Sequence, residues 1–79
     1  MIPLECLRRE EWAEVTDVVG EPHWVARLAE VGVLVGARIR MLQPGSPCLF
    51  QVGEMRLSLR LEEGAQIFVH PALALAASS

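Results

Sequence analysis

The chain has 79 residues, which is enough for one domain with a single hydrophobic core. Hydrophobic residues make up 52% of the sequence and aromatic residues only 5%, so aliphatic side chains must fill that core. The net charge of −3, with basic residues scattered along the chain, argues against a nucleic-acid-binding protein, which needs a concentrated basic face.

The first predicted element is a β-strand over residues 12–19. β-branched residues are frequent there, and Ala13, Val15 and Val19 fall on one face of the alternating pattern. Asp17 lies on the same face and interrupts it. We therefore expect a β-bulge or the end of the strand at Asp17.

The spacing of apolar residues then changes from that of a strand to that of a short amphipathic helix, which begins near residue 21. Apolar residues recur at i, i+4 and i+7 with one further member beside them, giving the stripe Trp24, Val25, Leu28 and Val31. Gly20 is expected as the N-cap, and Pro22 is compatible with the first turn. Gly32 stands where a left-handed residue ends a helix.

Three strands follow at short spacing. Gly36 lets the chain turn into the alternating segment 37–42. Residues 48–52 and 55–60 then alternate about a two-residue turn in which Gly53 takes the first position, as in a tight hairpin.

The last predicted strand covers residues 66–69, and residues 72–79 are expected to form a disordered tail after a domain that spans residues 1–71. The connections are too short for parallel crossovers, so the strands predict a mainly β, antiparallel sheet of about five strands with one inserted α-helix. Bending this sheet into a small barrel would remove most of its exposed edges.

Several segments carry a resemblance to a known family. They are the opening LxxL of Leu4 and Leu7, RLAEVGVLVG with Gly32 and Gly36, ARIRML, PGSP, and VGEMRLSLRLEEGAQIFV. Together they resemble the FeoA family, the small cytosolic proteins of bacterial ferrous iron transport. One departure is Glu10, which stands where the family usually has a glycine and predicts a different turn into the first strand.

The resemblance implies an SH3-like barrel and a role without catalysis. It implies an accessory protein that acts by contact on the cytosolic GTP-binding region of the FeoB transporter and reaches the membrane only through this partner. We expect no required cofactor and, from the net charge, no nucleic-acid partner. The module is also similar to the C-terminal domain of iron-dependent repressors of the diphtheria-toxin-repressor type, so a detached regulatory domain is an alternative.

The helix is the candidate partner-binding element. Its stripe has more apolar side chains than one buried face needs, which indicates either deep packing or an exposed docking surface. The candidate residues are Trp24, Val25, Arg27, Leu28 and Val31. Leu28 is expected in the core under both interpretations. Arg27 is also a candidate for stimulating GTP hydrolysis by the partner, a third interpretation.

A second hypothesis is a small metal-binding protein. His23 and His70 are weak candidates as ligands of a divalent ion such as Fe²⁺ or Zn²⁺. Cys48 is expected in the core, and the scattered donors do not have the spacing of a closed four-ligand zinc site. No serine has a nearby base pattern and no phosphate-binding loop motif occurs, so we do not expect an enzyme.

The cysteines and the hydropathy indicate the compartment. Cys6 and Cys48 are far apart and form no CxxC motif, which is typical of reduced thiols. The sequence contains no secretory signal pattern and no apolar run of the roughly 18 to 20 residues that a membrane span needs. We therefore expect a cytoplasmic protein.

Overall fold

The computed structural model of the chain describes residues 1–60 and 65–71, so the predicted tail over residues 72–79 lies outside the described residues. The elements, in chain order, are β1 (Ile2–Pro3), a 3-10 helix (Leu4–Cys6), β2 (Trp12–Gly20), α1 (Pro22–Glu30), β3 (Arg38–Gln43), β4 (Cys48–Val52), β5 (Met55–Leu59) and β6 (Ala65–Pro71). The predicted strands and helix are all present. The strand β1 was not predicted, because its two residues are too few to show an alternating pattern of apolar and polar residues.

All the strands belong to one sheet with the order β1-β6-β2-β3-β4-β5, and every neighbouring pair is antiparallel. The nine-residue β2 lies inside the sheet and pairs with both β3 and β6. Val15 lies opposite Val69, and Ile39 lies opposite Val52. The antiparallel arrangement predicted from the short connections is confirmed.

The core lies on one face of this sheet. It forms a single cluster of Leu4, Leu7, Ala13, Val15, Leu28, Val33, Ile39, Met41, Cys48, Phe50, Val52, Ile67 and Val69. Since no second sheet is present among the described residues, the sheet must curve around its own inner side chains to exclude water from them. The 3-10 helix adds Leu4 to the same cluster.

The β-bulge predicted at Asp17 is confirmed, and it changes which side chain faces the core. The pairing register of β2 with β6 shifts between Val15 and Asp17. A shift of one residue reverses the faces of the strand. Val18 consequently packs against the core, and the prediction that Val19 lies on the inner face is wrong, because its side chain is 48% exposed.

Glu10 has an unusual backbone. Its φ is +69°, and it is the one non-glycine residue with a positive φ in the described chain. Its N–H donates a hydrogen bond to the carbonyl of Met41 at 2.7 Å, which fixes the turn into β2. The sequence predicts a different turn at this position, whereas the backbone has the left-handed φ that a glycine favours.

No helix in the described ranges has the length and apolar character that crossing a membrane requires.

Candidate partner-binding surface

The start of α1 is determined by Pro22. A proline at the first helical position restricts the residue before it to extended backbone, and Glu21 accordingly has φ −62° and ψ 138°. The N–H groups of Trp24 and Val25 both donate to the Glu21 carbonyl at 3.0 Å. Glu21 is therefore the N-cap. The prediction of Gly20 as the N-cap is wrong, since Gly20 is the last residue of β2.

The end of α1 is a Schellman motif. The N–H of Gly32 donates to the carbonyl of Ala29 at 3.0 Å, and the N–H of Val33 donates to that of Leu28 at 2.8 Å. Gly32 has φ +99°, as predicted for the residue that ends the helix. Leu28 and Val33 are both buried in the core, so the motif also joins the helix to the sheet.

The segment after the helix is attached to β2 by its backbone. The N–H of Gly36 donates to the carbonyl of Val15, and the N–H of Val15 donates to the carbonyl of Ala37, both at 2.8 Å. Gly36 has φ +94°, which allows the predicted turn into β3. Between these fixed points, Leu34 and Val35 are 49% and 63% exposed.

The predicted helix face divides into a buried part and an accessible part. Leu28 is 5% exposed and belongs to the core, as expected, and Val31 is half-buried and packs against it. Trp24 and Val25 are half-buried, and Arg27 is exposed. Of the predicted binding residues within α1, those that remain accessible are therefore Trp24 and Val25, by their outer parts, and Arg27.

The metal candidates are not brought together. His23 Nδ1 lies 3.3 Å from the Glu21 carboxylate at an exposed helix start, and the His23 ring packs against Trp24 with 5.5 Å between centroids. His70 is exposed on β6, opposite Glu14 of β2. No group of three potential metal ligands occurs among the described residues. The donors present there do not fit a structural zinc site, which needs four.

A groove that the sequence did not reveal lies at the end of the helix. It has a volume of about 500 Å³ and is lined by Trp12, Val31, Gly32, Ala37, Arg38, Val52 and Gly53. The lining is mostly apolar with one guanidinium, so it suits an apolar side chain that is next to a negative charge. Its residues come from four separate parts of the chain, which the strand register and the packing of the helix end bring together.

The aromatic wall of this groove lies beside a charged network. Trp12 lies opposite Arg40 in the register of β2 and β3, and the Arg40 guanidinium lies 5.8 Å from the centroid of the indole ring. Arg40 also forms an ion pair with the Glu10 carboxylate. These contacts lie beside Trp12, whose side chain remains 49% exposed.

The chain is similar to known proteins both in sequence and in fold. A family model described as the FeoA domain matches residues 2–71. The solution structure of the FeoA protein from Chlorobium tepidum is 34% identical, with a TM-score of 0.79 over 89% of this chain and 70% of that chain. Among curated proteins, no match was found.

Two crystal structures are also similar. Stenotrophomonas maltophilia FeoA in complex with zinc is 31% identical, with a TM-score of 0.73 over 89% of this chain and 91% of that one. It is described as a prokaryotic SH3-domain protein and as a candidate activating factor of bacterial ferrous iron transport. An iron uptake regulatory protein, also a FeoA, has a TM-score of 0.72 at 20% identity over 87% of this chain and 97% of that chain, which supports the fold alone. The predicted mainly β, SH3-like fold is confirmed.

Proposed function

Because the chain belongs to the FeoA family, we propose that it is an accessory protein of bacterial ferrous iron transport that acts by contact on the cytosolic GTP-binding region of a FeoB-type transporter. The observation that supports this proposal is the family match over residues 2–71. The description of the Stenotrophomonas maltophilia relative as a candidate activating factor of ferrous iron transport supports the same role. The protein acts in the cytoplasm, without a catalytic step of its own, and reaches the membrane only through this partner.

The proposed contact surface is the accessible part of α1. Trp24 and Val25 offer half-buried apolar side chains, and Arg27 adds an exposed positive charge beside them. Aromatic and arginine side chains are the residue types that contribute most often to binding energy at protein interfaces. Leu28 supports this surface from the core, and Val31 joins it to the groove.

The test measures binding of the partner's soluble GTP-binding domain by Trp24→Glu, Val25→Glu and Arg27→Ala variants. A buried unpaired charge is costly, so each Glu variant should weaken binding about tenfold or more. Leu49→Glu is the matched control, because Leu49 is also half-buried but lies on the strand β4. Melting curves are recorded for every variant.

Two results would contradict the proposed contact. Folded Trp24→Glu and Val25→Glu variants that bind as tightly as the wild type would remove α1 as the contact surface. Absence of binding by the wild-type chain itself would remove the GTP-binding region as the partner. Partner GTP hydrolysis is measured in the same samples, and an unchanged rate at saturation would exclude stimulation through Arg27.

The metal-binding alternative is tested on the chain alone by calorimetric titration with Zn²⁺ and with Fe²⁺ under anaerobic conditions. His23 and Glu21 provide two exposed donors, so we expect weak binding, with a Kd well above about 1 µM. Stoichiometric binding tighter than this, lost in the His23→Ala or His70→Ala variant, would favour a metal sensor or carrier instead.

A further inference from the structure

One edge of the sheet is formed by β5. Among the described strands, β5 pairs with β4 alone and lies last in the strand order. Its pairing with β4 is regular over residues 55–59, without a bulge. Proteins block such an edge with prolines, bulges or charged side chains, and the β5 sequence Met-Arg-Leu-Ser-Leu has no proline, no bulge and a single charged residue, the exposed Arg56.

The direction of the free backbone groups follows from the hairpin. Val52 and Met55 flank a two-residue turn with φ +58° at Gly53, and such a turn closes on a hydrogen-bonded pair. Hydrogen-bonded and non-bonded pairs alternate along antiparallel strands. The N–H and C=O groups of Met55, Leu57 and Leu59 therefore point to β4. Those of Arg56 and Ser58 point outward at the edge.

The side chains at this edge are complementary to themselves in antiparallel register. If two β5 strands pair about Leu57, then Leu57 faces its own copy, Met55 faces Leu59, and Arg56 faces Ser58, so no like charges are opposed. Beyond the two ends of the strand, the turn residue Glu54 of one copy comes near Arg60 of the other, and this approach of opposite charges occurs twice by symmetry. Met55 is 48% exposed, and Leu57 and Leu59 are half-buried, so apolar surface remains for a second copy to cover.

We propose that the chain self-associates through β5, forming a two-fold symmetric dimer in which two copies pair antiparallel about Leu57 and continue the sheet from one copy into the other. The outward backbone groups of Arg56 and Ser58 bond to Ser58 and Arg56 of the second copy. Leu57 packs against Leu57 across the two-fold axis. Because the edge is short, the dimer is weak and concentration-dependent.

The test measures the dimer dissociation constant by sedimentation velocity over protein concentrations from roughly 5 µM to 1 mM. Ser58 is exposed and faces Arg56 of the second copy, so two substitutions at this one position should act in opposite directions. Ser58→Arg opposes like charges and should raise the dissociation constant, whereas Ser58→Glu should lower it. Each change is expected to be about 2- to 30-fold, because every pair occurs twice.

A charge exchange tests the register separately. Arg60→Glu and Glu54→Arg each bring like charges near one another and should weaken the dimer, and the double variant Glu54→Arg with Arg60→Glu should restore it. Within one copy these residues lie beyond opposite ends of β5, so the restoration requires two chains. Melting curves confirm that each variant is folded.

Clear results would overturn the proposal. A wild-type chain that stays monomeric over the whole concentration range would do so, as would a dimer whose dissociation constant is the same in the Ser58→Arg and Ser58→Glu variants. An independent weakening by both charge reversals, without restoration in the double variant, would exclude the register. None of these measurements involves the transporter, so their outcome is independent of the proposed partner.

Discussion

At the residue level, Glu10 occupies a backbone conformation that its side chain disfavours. Its φ of +69° costs an ordinary L-residue roughly 1–2 kcal/mol relative to glycine. The ion pair of its carboxylate with Arg40 is exposed and contributes little. We expect the Glu10→Gly variant to be about 1 kcal/mol more stable than Glu10→Ala in urea unfolding, because both variants lose the ion pair and only the backbone differs.

The expected order of stability, with Glu10→Gly above Glu10→Ala, is informative because it is the reverse of the order at most positions. At an ordinary position alanine is favoured over glycine, since glycine loses more conformational freedom on folding. An alanine variant that is as stable as the glycine variant would therefore contradict a left-handed backbone at Glu10. Glu11 supplies a matched control, because no positive φ occurs there and alanine should be favoured.

Cys48 should make the stability of the protein decline at alkaline pH. Burial raises the pKa of the Cys48 thiol, because a thiolate in the core loses its hydration. An unfolded cysteine ionises near pH ~8.5, so stability from Cys48 is present below that pH and declines above it. In urea unfolding from pH 7 to 10, the wild type should lose more stability than Cys48→Ala does. Equal slopes in both proteins would contradict the raised pKa.

At the level of single elements, α1 depends on one buried side chain. Leu28→Ala should lower the free energy of unfolding by about 2–5 kcal/mol, because Leu28 is 5% exposed and is part of the core. Val25→Ala is the matched control on the same helix, and it should cost less, because Val25 is half-buried. Urea unfolding of both variants tests this. A smaller loss in Leu28→Ala than in Val25→Ala would contradict the assignment of the buried face.

The size of this effect decides how functional data on the helix are interpreted. A domain this small has a total stability of roughly 5 kcal/mol. At the upper end of the expected range Leu28→Ala leaves about half of the molecules unfolded, so a loss of binding in that variant would not distinguish unfolding from damage to the contact surface. The surface variants at Trp24 and Val25 avoid this difficulty.

The elements that the sequence predicted correctly are those with a clear local signal. The period of apolar residues gave the helix and the main strands, and Gly32 marked the end of α1 because a Schellman motif needs a left-handed residue. The sequence wrongly placed Val19 on the inner face instead of Val18. The bulge moves every later residue of the strand to the opposite face of the sheet, and the period of the sequence does not show this.

The groove could not be predicted at all from local patterns. Trp12 and Arg38 have no periodic relation in the sequence, and they reach the same groove because β2 and β3 pair in one particular register. Arg27 and Trp24 were named as binding candidates from the helix pattern alone, and their contact with a partner stays a prediction. Thus the face of an element is readable from its own residues, whereas a surface shared by several elements depends on long-range pairing.

At the level of the whole molecule, the helix is less strongly attached to the core than the central strand of the sheet is. The strand β2 is paired on both sides and contributes Ala13 and Val15 to the core, whereas α1 contributes Leu28 with half-buried Val31 beside it. Regions with few buried contacts open locally before the whole protein unfolds. This difference predicts two levels of amide protection in the native state.

Native-state hydrogen exchange measures these levels directly. We expect the amides of residues 26–30 in α1 to exchange through local opening at a free energy about 1–3 kcal/mol below that of the β2 amides bonded to β6. Low concentrations of urea should accelerate exchange in β2 but leave exchange in α1 nearly unchanged, because local opening exposes little surface. Equal protection and equal urea dependence in both elements would instead mean that helix and sheet unfold as one unit. Under the proposed contact, saturation with the partner's GTP-binding domain should slow exchange in α1 selectively, since a ligand stabilises the state that it binds.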